Sequence, residues 1–310
     1  MPRAGTIRAA RCAVVALLSS CLAGAALAAD ISGHEDDALR VQARLLDPAA
    51  SREARVQALA QVQATADAGD AHARFVLGAL YLSGKKHPAA LVERDLGTAR
   101  TWYERCVELP DCPSLAVAAL VELELEAGDP RRAMQWAQIA AILEREVQKS
   151  ADDGRERSQG YLPTLLLRAR DALPAEARSQ PEIDALTAAM VAERGAALDR
   201  MLERANRPDP ELENMPRFAM KRRHTAFQGR KLPREDLLAE YLVEAPAAGG
   251  SGSWHRMIEG LPTPRAASAL DRVAELMEFA PYTPPSGSDA VIVRMPLHFD
   301  TRRHSFSNSR

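Results

Sequence analysis

The stretch Gly69-Asp70-Ala71-His72-Ala73-Arg74-Phe75-Val76-Leu77-Gly78-Ala79-Leu80-Tyr81-Leu82-Ser83-Gly84 decides how the first half of the chain is read. Asp70 is a residue type that caps helices, because its carboxylate can accept an orphan amide of the first turn. Gly84 is a helix stop. The apolar residues between them predict one helix. Gly78 inside it costs about 1 kcal/mol relative to alanine, which points to a neighbouring helix in close approach. A second helix follows, with Asp95 as cap and then Ala99, Trp102 and Tyr103. At an offset of 34 residues the pattern returns: Asp129-Pro130-Arg131-Arg132-Ala133-Met134-Gln135-Trp136 places Ala133 and Trp136 where Ala99 and Trp102 stood. Pro113 to Glu126, closed by Gly128, is the helix before it. A helix pair cannot bury its apolar face alone and needs stacked neighbours. Leu77, Trp102, Leu120 and Trp136 are therefore expected between helices.

The residues Ala68-Gly69-Asp70-Ala71, then Leu77-Gly78 with Tyr81 and Gly84, then Asp95 with Ala99 and Trp102-Tyr103, resemble the Sel-one-type repeat, a relative of the tetratricopeptide repeat. The resemblance is best over 66–143, within a helical region expected over 30–205. The second unit keeps its second helix without the Leu-Gly and Tyr signature. What the resemblance implies is a protein-binding scaffold whose concave face is formed by the first helix of each pair.

The whole chain has 310 residues and 33.7 kDa, with 46% hydrophobic, 26% charged and only 5% aromatic residues, a balance that favours helices. A net charge of −2 argues against a protein that binds nucleic acid by neutralising phosphates. Arg3, Arg8 and Arg11 precede an uncharged run from Cys12 to Ala29, and Ala26-Leu27-Ala28 offers small residues to a signal peptidase. This reads as a signal peptide over 1–28. Two alternatives stand beside it. Leu18-Ser19-Ser20-Cys21 resembles a lipobox, which would lipidate Cys21. An uncleaved anchor would need about 20 apolar residues to span. All three readings place the chain beyond residue 30 outside the cytoplasm: periplasmic after cleavage, otherwise membrane-anchored and facing the periplasm. Past the leader only Cys106 and Cys112 remain, a candidate disulfide in an oxidising compartment. The alternative is a pair of buried thiols.

Three prolines in Asn206 to Pro216 end the helical region and suggest a linker over 206–236. It contains the basic patch Lys221-Arg222-Arg223-His224, read as a solvated face or as contact for an acidic partner. Beyond it the period changes. Leu237–Ala245 suits a strand, though its first half also suits a helix, 246–253 a glycine- and serine-rich hairpin loop, 254–260 a second strand, 266–279 a helix with Ala269, Val273, Leu276 and Met277 on one face, and 290–299 a last strand. A tail follows over 301–310. The order is ββαβ. Ala269-Leu270-Asp271, Met277-Glu278-Phe279-Ala280-Pro281 and the run Val291 to Phe299 with Met295-Pro296-Leu297-His298 resemble the C-terminal domain of TonB-type proteins over 237–300, although the usual Tyr-Pro entry is absent. The resemblance implies a sheet edge that pairs with a peptide strand of an outer-membrane receptor, here at Val291, Val293, Met295 and Phe299. The long proline-rich spacer of that family is missing. The fold class expected is α+β: an all-α helical-repeat solenoid followed by a small ββαβ TonB-like domain.

No complete catalytic motif stands in the sequence. The glycines of Gly78 to Lys85 are one residue too far apart for a phosphate loop, and a helix precedes them instead of a strand. Ser83 and Lys86 share the spacing of a serine–lysine pair but fall in a repeat turn. No His-Glu-x-x-His zinc helix occurs. The expectation is a non-catalytic periplasmic adaptor that binds envelope proteins, without cofactor, metal or nucleic acid. The alternative is a TonB-type energy transducer that retains its anchor and serves outer-membrane transport. A third reading, an envelope enzyme, requires His224, His255 or His298 to meet carboxylates in a pocket between the halves.

Overall fold

A computed structural model describes residues 37–150, 161–205, 216–220, 233–284, 287–301 and 305–307. The leader, the basic patch 221–224, most of the 206–236 stretch and most of the tail lie outside them. Helices dominate, with antiparallel strands confined to the C-terminal part. After α1 (37–46) come α2 (Arg52–Asp67), α3 (Ala71–Ser83), α4 (Leu96–Val107), α5 (Ser114–Ala127), α6 (Pro130–Ser150), α7 (Leu162–Ala172) and α8 (Gln180–Ala205). Among the described residues no helix is long and apolar enough to cross a membrane.

The caps are those the sequence suggests. Asp70 accepts from the Ala73 amide at 2.6 Å, Asp95 from Thr98 at 3.0 Å, and Asp129 from Arg132 at 3.0 Å. Each such cap stabilises its helix by about 1 kcal/mol. Gly84 ends α3 at φ +54°, and a Cβ there would lie 2.5 Å from the Arg94 amide nitrogen, so no other residue fits the turn. From α2 to α6 each helix packs on the next, and α7 and α8 then lie on α6. Ala99, Ala133, Trp136 and Leu77 are wholly buried between them. Trp102 is only half-buried, with the Arg105 guanidinium 4.5 Å over its ring.

A clasp of charges holds α8. Arg132 grips Glu193 through both amino groups, at 2.8 and 2.9 Å, and Arg194 reaches Glu104 at 3.2 Å and Glu108 at 2.6 Å. Both guanidiniums flank the Trp136 ring. These donors hold the Glu193 carboxyl down at about 2, with the Arg132 hydrogen bond the largest influence.

Cys106 and Cys112 form a disulfide between the end of α4 and the start of α5, with Cα atoms 5.3 Å apart. So short a loop removes little unfolded-state entropy, on the order of 2 kcal/mol. The double variant Cys106→Ser/Cys112→Ser should therefore lose about that much in urea melts. A loss below 0.5 kcal/mol, by rough count, would show that the bridge adds nothing beyond its packing.

The main sheet has the order β4-β2-β6-β7, built from β2 (Leu237–Pro246), β4 (His255–Leu261), β6 (Ala290–Asp300) and β7 (Ser305–Ser307), each neighbour antiparallel. A smaller ribbon, β1-β5-β3, joins β1 (Phe218–Met220), β5 (Met277–Phe279) and β3 (Gly250–Ser251). Two expectations are corrected here. The helix expected over 266–279 is shorter and interrupted: α9 (Pro264–Ala267), a 3-10 turn (Ser268–Leu270) and α10 (Asp271–Glu275). Residues 277–279 leave it to form β5. Part of the stretch read as linker is β1, whose Phe218 pairs with Phe279.

The sheet has two buried faces. Leu237, Ala239, Tyr241, Val243 and Met257 join Val293, Met295, Leu297 and Phe299 in a core under α9 and α10. Leu238, Leu242, Ile258 and Leu261 belong instead to the core of the helix pairs. The sheet is thus the middle layer between two sets of helices, which is why its strands are apolar on both sides.

Candidate functional site: a buried polar seam and a sheet edge

The seam between the helix pairs and the sheet gathers several buried titratable side chains, among them Glu240, Glu259 and His87. Its geometry follows from one irregularity. Along β2 and β4, Glu240 faces Glu259 but Tyr241 faces Met257, so Ile258 is an extra residue, a β-bulge. A bulge reverses the alternation of a strand beyond it. Ile258 joins the helical core, and Glu259 turns toward α4, where Tyr103 donates its hydroxyl to Glu259 Oε2. The Gly260 amide donates to Oε1 at 2.8 Å. Glu259 is completely buried. Burial raises its carboxyl to about 7, against the pull of the Tyr103 and Gly260 hydrogen bonds and with a push from Glu240.

His87 lies beside it. Its Nδ1 accepts the Ala89 amide at 3.0 Å, so the proton sits on Nε2 and is donated to the Ile258 carbonyl at 2.9 Å. Burial lowers this imidazole to about 4, so it stays neutral. Glu240 takes Arg294 Nη1 at 3.2 Å, and Arg294 Nη2 reaches Gln42 Oε1 on α1 at 2.6 Å. Burial still raises the Glu240 carboxyl, outweighing the guanidinium. Farther along, Asp236 accepts from Thr164 of α7 and from the Thr301 amide and hydroxyl, at 2.8 and 2.6 Å, pinning the end of the sheet to the helices. Arg256 on β4 pairs with Asp47 at 2.9 Å.

This cluster has the perturbed groups of an active site without its access. The concavities described lie elsewhere: one of about 390 Å³ between α6, α7 and α8, and one of about 140 Å³ lined by Arg40, Glu244, Ala290, Val291 and Ile292. Neither is lined by Glu259, whose side chain is completely buried. The histidines proposed for a shared pocket do not gather: His255 pairs with Val243 and His298 with Leu238, far apart on β2, and His224 lies outside the described residues. Among the described residues no group of three or more potential ligands could hold a metal ion.

Three other expectations meet the structure here. α3 is buried at Ala71, Ala73, Phe75–Leu80, Leu82 and Ser83, and α5 continuously over Leu115–Glu124. The first helices of the two pairs are therefore covered by the rest of the chain, with β4 against α3. Of the edge residues, Val293, Met295 and Phe299 point their side chains into the core under α9 and α10, and only Val291 is partly exposed. What β6 can offer is its backbone. Phe299 is no part of a free edge, since it pairs with Leu237 on one side and Phe306 of β7 on the other. Over 290–297 the outer side of β6 carries no strand among the described residues. Of the repeat signature, Gly78 and Gly84 shape contacts, whereas Tyr81 is half-buried and supplies its carbonyl to the Asp95 amide at 2.9 Å.

Reading residue types alone misses Glu259, Glu240, Tyr103, His87 and Arg294. The available signal was Glu240 at an alternating position inside the apolar run Leu237-Leu238-Ala239-Glu240-Tyr241-Leu242. No protein-family model, curated protein or solved structure matches the chain.

Proposed function

We propose that the protein is an exported, non-catalytic binding module of a bacterial envelope, in which the helix pairs form a rigid mount and the outer backbone of β6 takes up a strand of a partner protein. The observation that carries this reading is that, among the described residues, no strand lies on the outer side of β6 over 290–297, on a strand eleven residues long. Unpaired amides and carbonyls on such an edge accept another strand readily. The leader pattern supports export, and the cysteine pair supports an oxidising compartment. The buried first helices favour the edge over a helical groove as the contact.

The test uses the whole protein in the cell that exports it. A photo-crosslinking residue placed at Val291 should give one discrete adduct. The same residue at Val56, exposed on α2, should give none. Equal labelling from both positions, or silence at Val291, defeats the reading. N-terminal sequencing separates the two forms of export. A start at Ala29 fits the free periplasmic module, and a start at Met1 fits the anchored energy transducer.

A further inference from the structure

We infer that the seam between the helix pairs and the sheet is a proton-operated latch: with a proton on Glu259 the sheet is seated on α4, and without it the seat loosens. The geometry is an unbalanced set of charges. Two buried carboxylates, Glu240 and Glu259, face each other across β2 and β4. One guanidinium, Arg294, serves them, and it is spent on Glu240 and Gln42. No cation reaches Glu259 among the described residues.

The neighbours on every side leave this imbalance in place. From α3, His72 is held neutral by burial and by the nearby Arg294 charge. His87 is committed as a neutral ring between Ala89 and Ile258. α4 offers a neutral phenol, Tyr103, which burial keeps protonated. Arg256 of β4 is engaged by Asp47. On the far face of the sheet, Asp271 takes the Tyr241 hydroxyl at 2.8 Å, Arg272 pairs with Glu275 at 2.5 Å, and Arg265 is exposed. An ionised Glu259 would keep two hydrogen bonds and no counter-charge, which is costly in a dry interior.

The sign follows from linkage. The folded chain keeps the Glu259 proton up to about pH 7, whereas the unfolded chain gives it up near the ordinary glutamate value of 4.5. Seating is therefore firmest below 4.5 and weakens as pH rises through the window from 4.5 to 7. Because β2 joins β4 to β6, loosening the seat would also alter how the β6 edge is held. The latch does not depend on the edge having a partner.

Hydrogen exchange on the full chain tests it, with protection factors corrected for intrinsic rates. Between pH 6 and pH 8 the amides of Ile258 to Leu261 should lose protection about tenfold. In Glu259→Gln, which cannot ionise, they should hold it. Should that variant fail to fold, two further measurements decide. The Glu259 side-chain carbon followed by NMR should titrate near 7, and in Tyr103→Phe its midpoint should move upward, since the lost hydroxyl favours the carboxylate. Titration near 4.5, or an equal loss of protection in Glu259→Gln, overturns the latch.

Discussion

Replacing Arg294 by methionine should cost about 3–5 kcal/mol at pH 8, the range for breaking a buried ion pair from one side. Methionine keeps much of the length of the stem and removes only the fork. Glu240, 5% exposed, is then left beside Glu259 with no cation, and Gln42, 2% exposed, loses its donor. Burial already lifts the Glu240 carboxyl, and Arg294 is what pulls it back. In the variant that carboxyl rises further. The folded variant then holds a proton over a wider window than the unfolded chain, so its deficit shrinks as pH falls. Denaturant melts of both proteins at pH 8 and pH 5 should show a smaller difference at pH 5. The double variant Arg294→Met/Glu240→Gln should recover most of the loss, because an amide in place of the carboxylate leaves a polar group and no charge to be stranded. A deficit under 1 kcal/mol, by rough count, or one unchanged between the two pH values, would mean that water screens the pair.

These seam residues show where sequence reading succeeds and where it stops. Helix ends are local events. Asp70, Asp95 and Asp129 satisfy amides three residues on, and Gly84 serves a turn of its own, so all four were legible. The strands over 237–246, 255–261 and 290–300 were legible because turn residues bracket them. β5 was not, since three residues carry no period. Its stability comes from β1 and β3, both distant in sequence. The bulge at Ile258 was equally hidden. A strand's register is a property of its partner, and one extra residue decides whether Glu259 faces α4 or the opposite core. The sheet's double burial was hidden for a related reason: residues 237–246 fit a strand covered on either face or on both. A repeat resemblance that expects an open groove on α3 and α5 carries no information about a later sheet filling it.

Gly78 joins the legible half to the illegible one, and its replacement is the sharper experiment. In an ordinary helix Gly→Ala gains about 1 kcal/mol. Here the sign should reverse. A Cβ at position 78 would lie 2.6 Å from Cδ1 and Cε1 of the Tyr103 ring. That ring cannot yield freely, because it is fully buried, tilted against Phe75 at 6.1 Å, and tied to Glu259 by its hydroxyl. Overpacking a filled core costs about 1–3 kcal/mol. If the ring is pushed off, Glu259 also loses a donor in a dry site, a further 1–3 kcal/mol or so. Gly78→Ala should therefore destabilise by on the order of 3 kcal/mol in denaturant melts. Tyr103→Leu in the same background should return part of the loss by opening space beside α3, even though it sacrifices the hydroxyl. A gain in stability for Gly78→Ala alone would show that α3 and α4 slide apart at little cost, and the rigid mount proposed for the sheet would not exist.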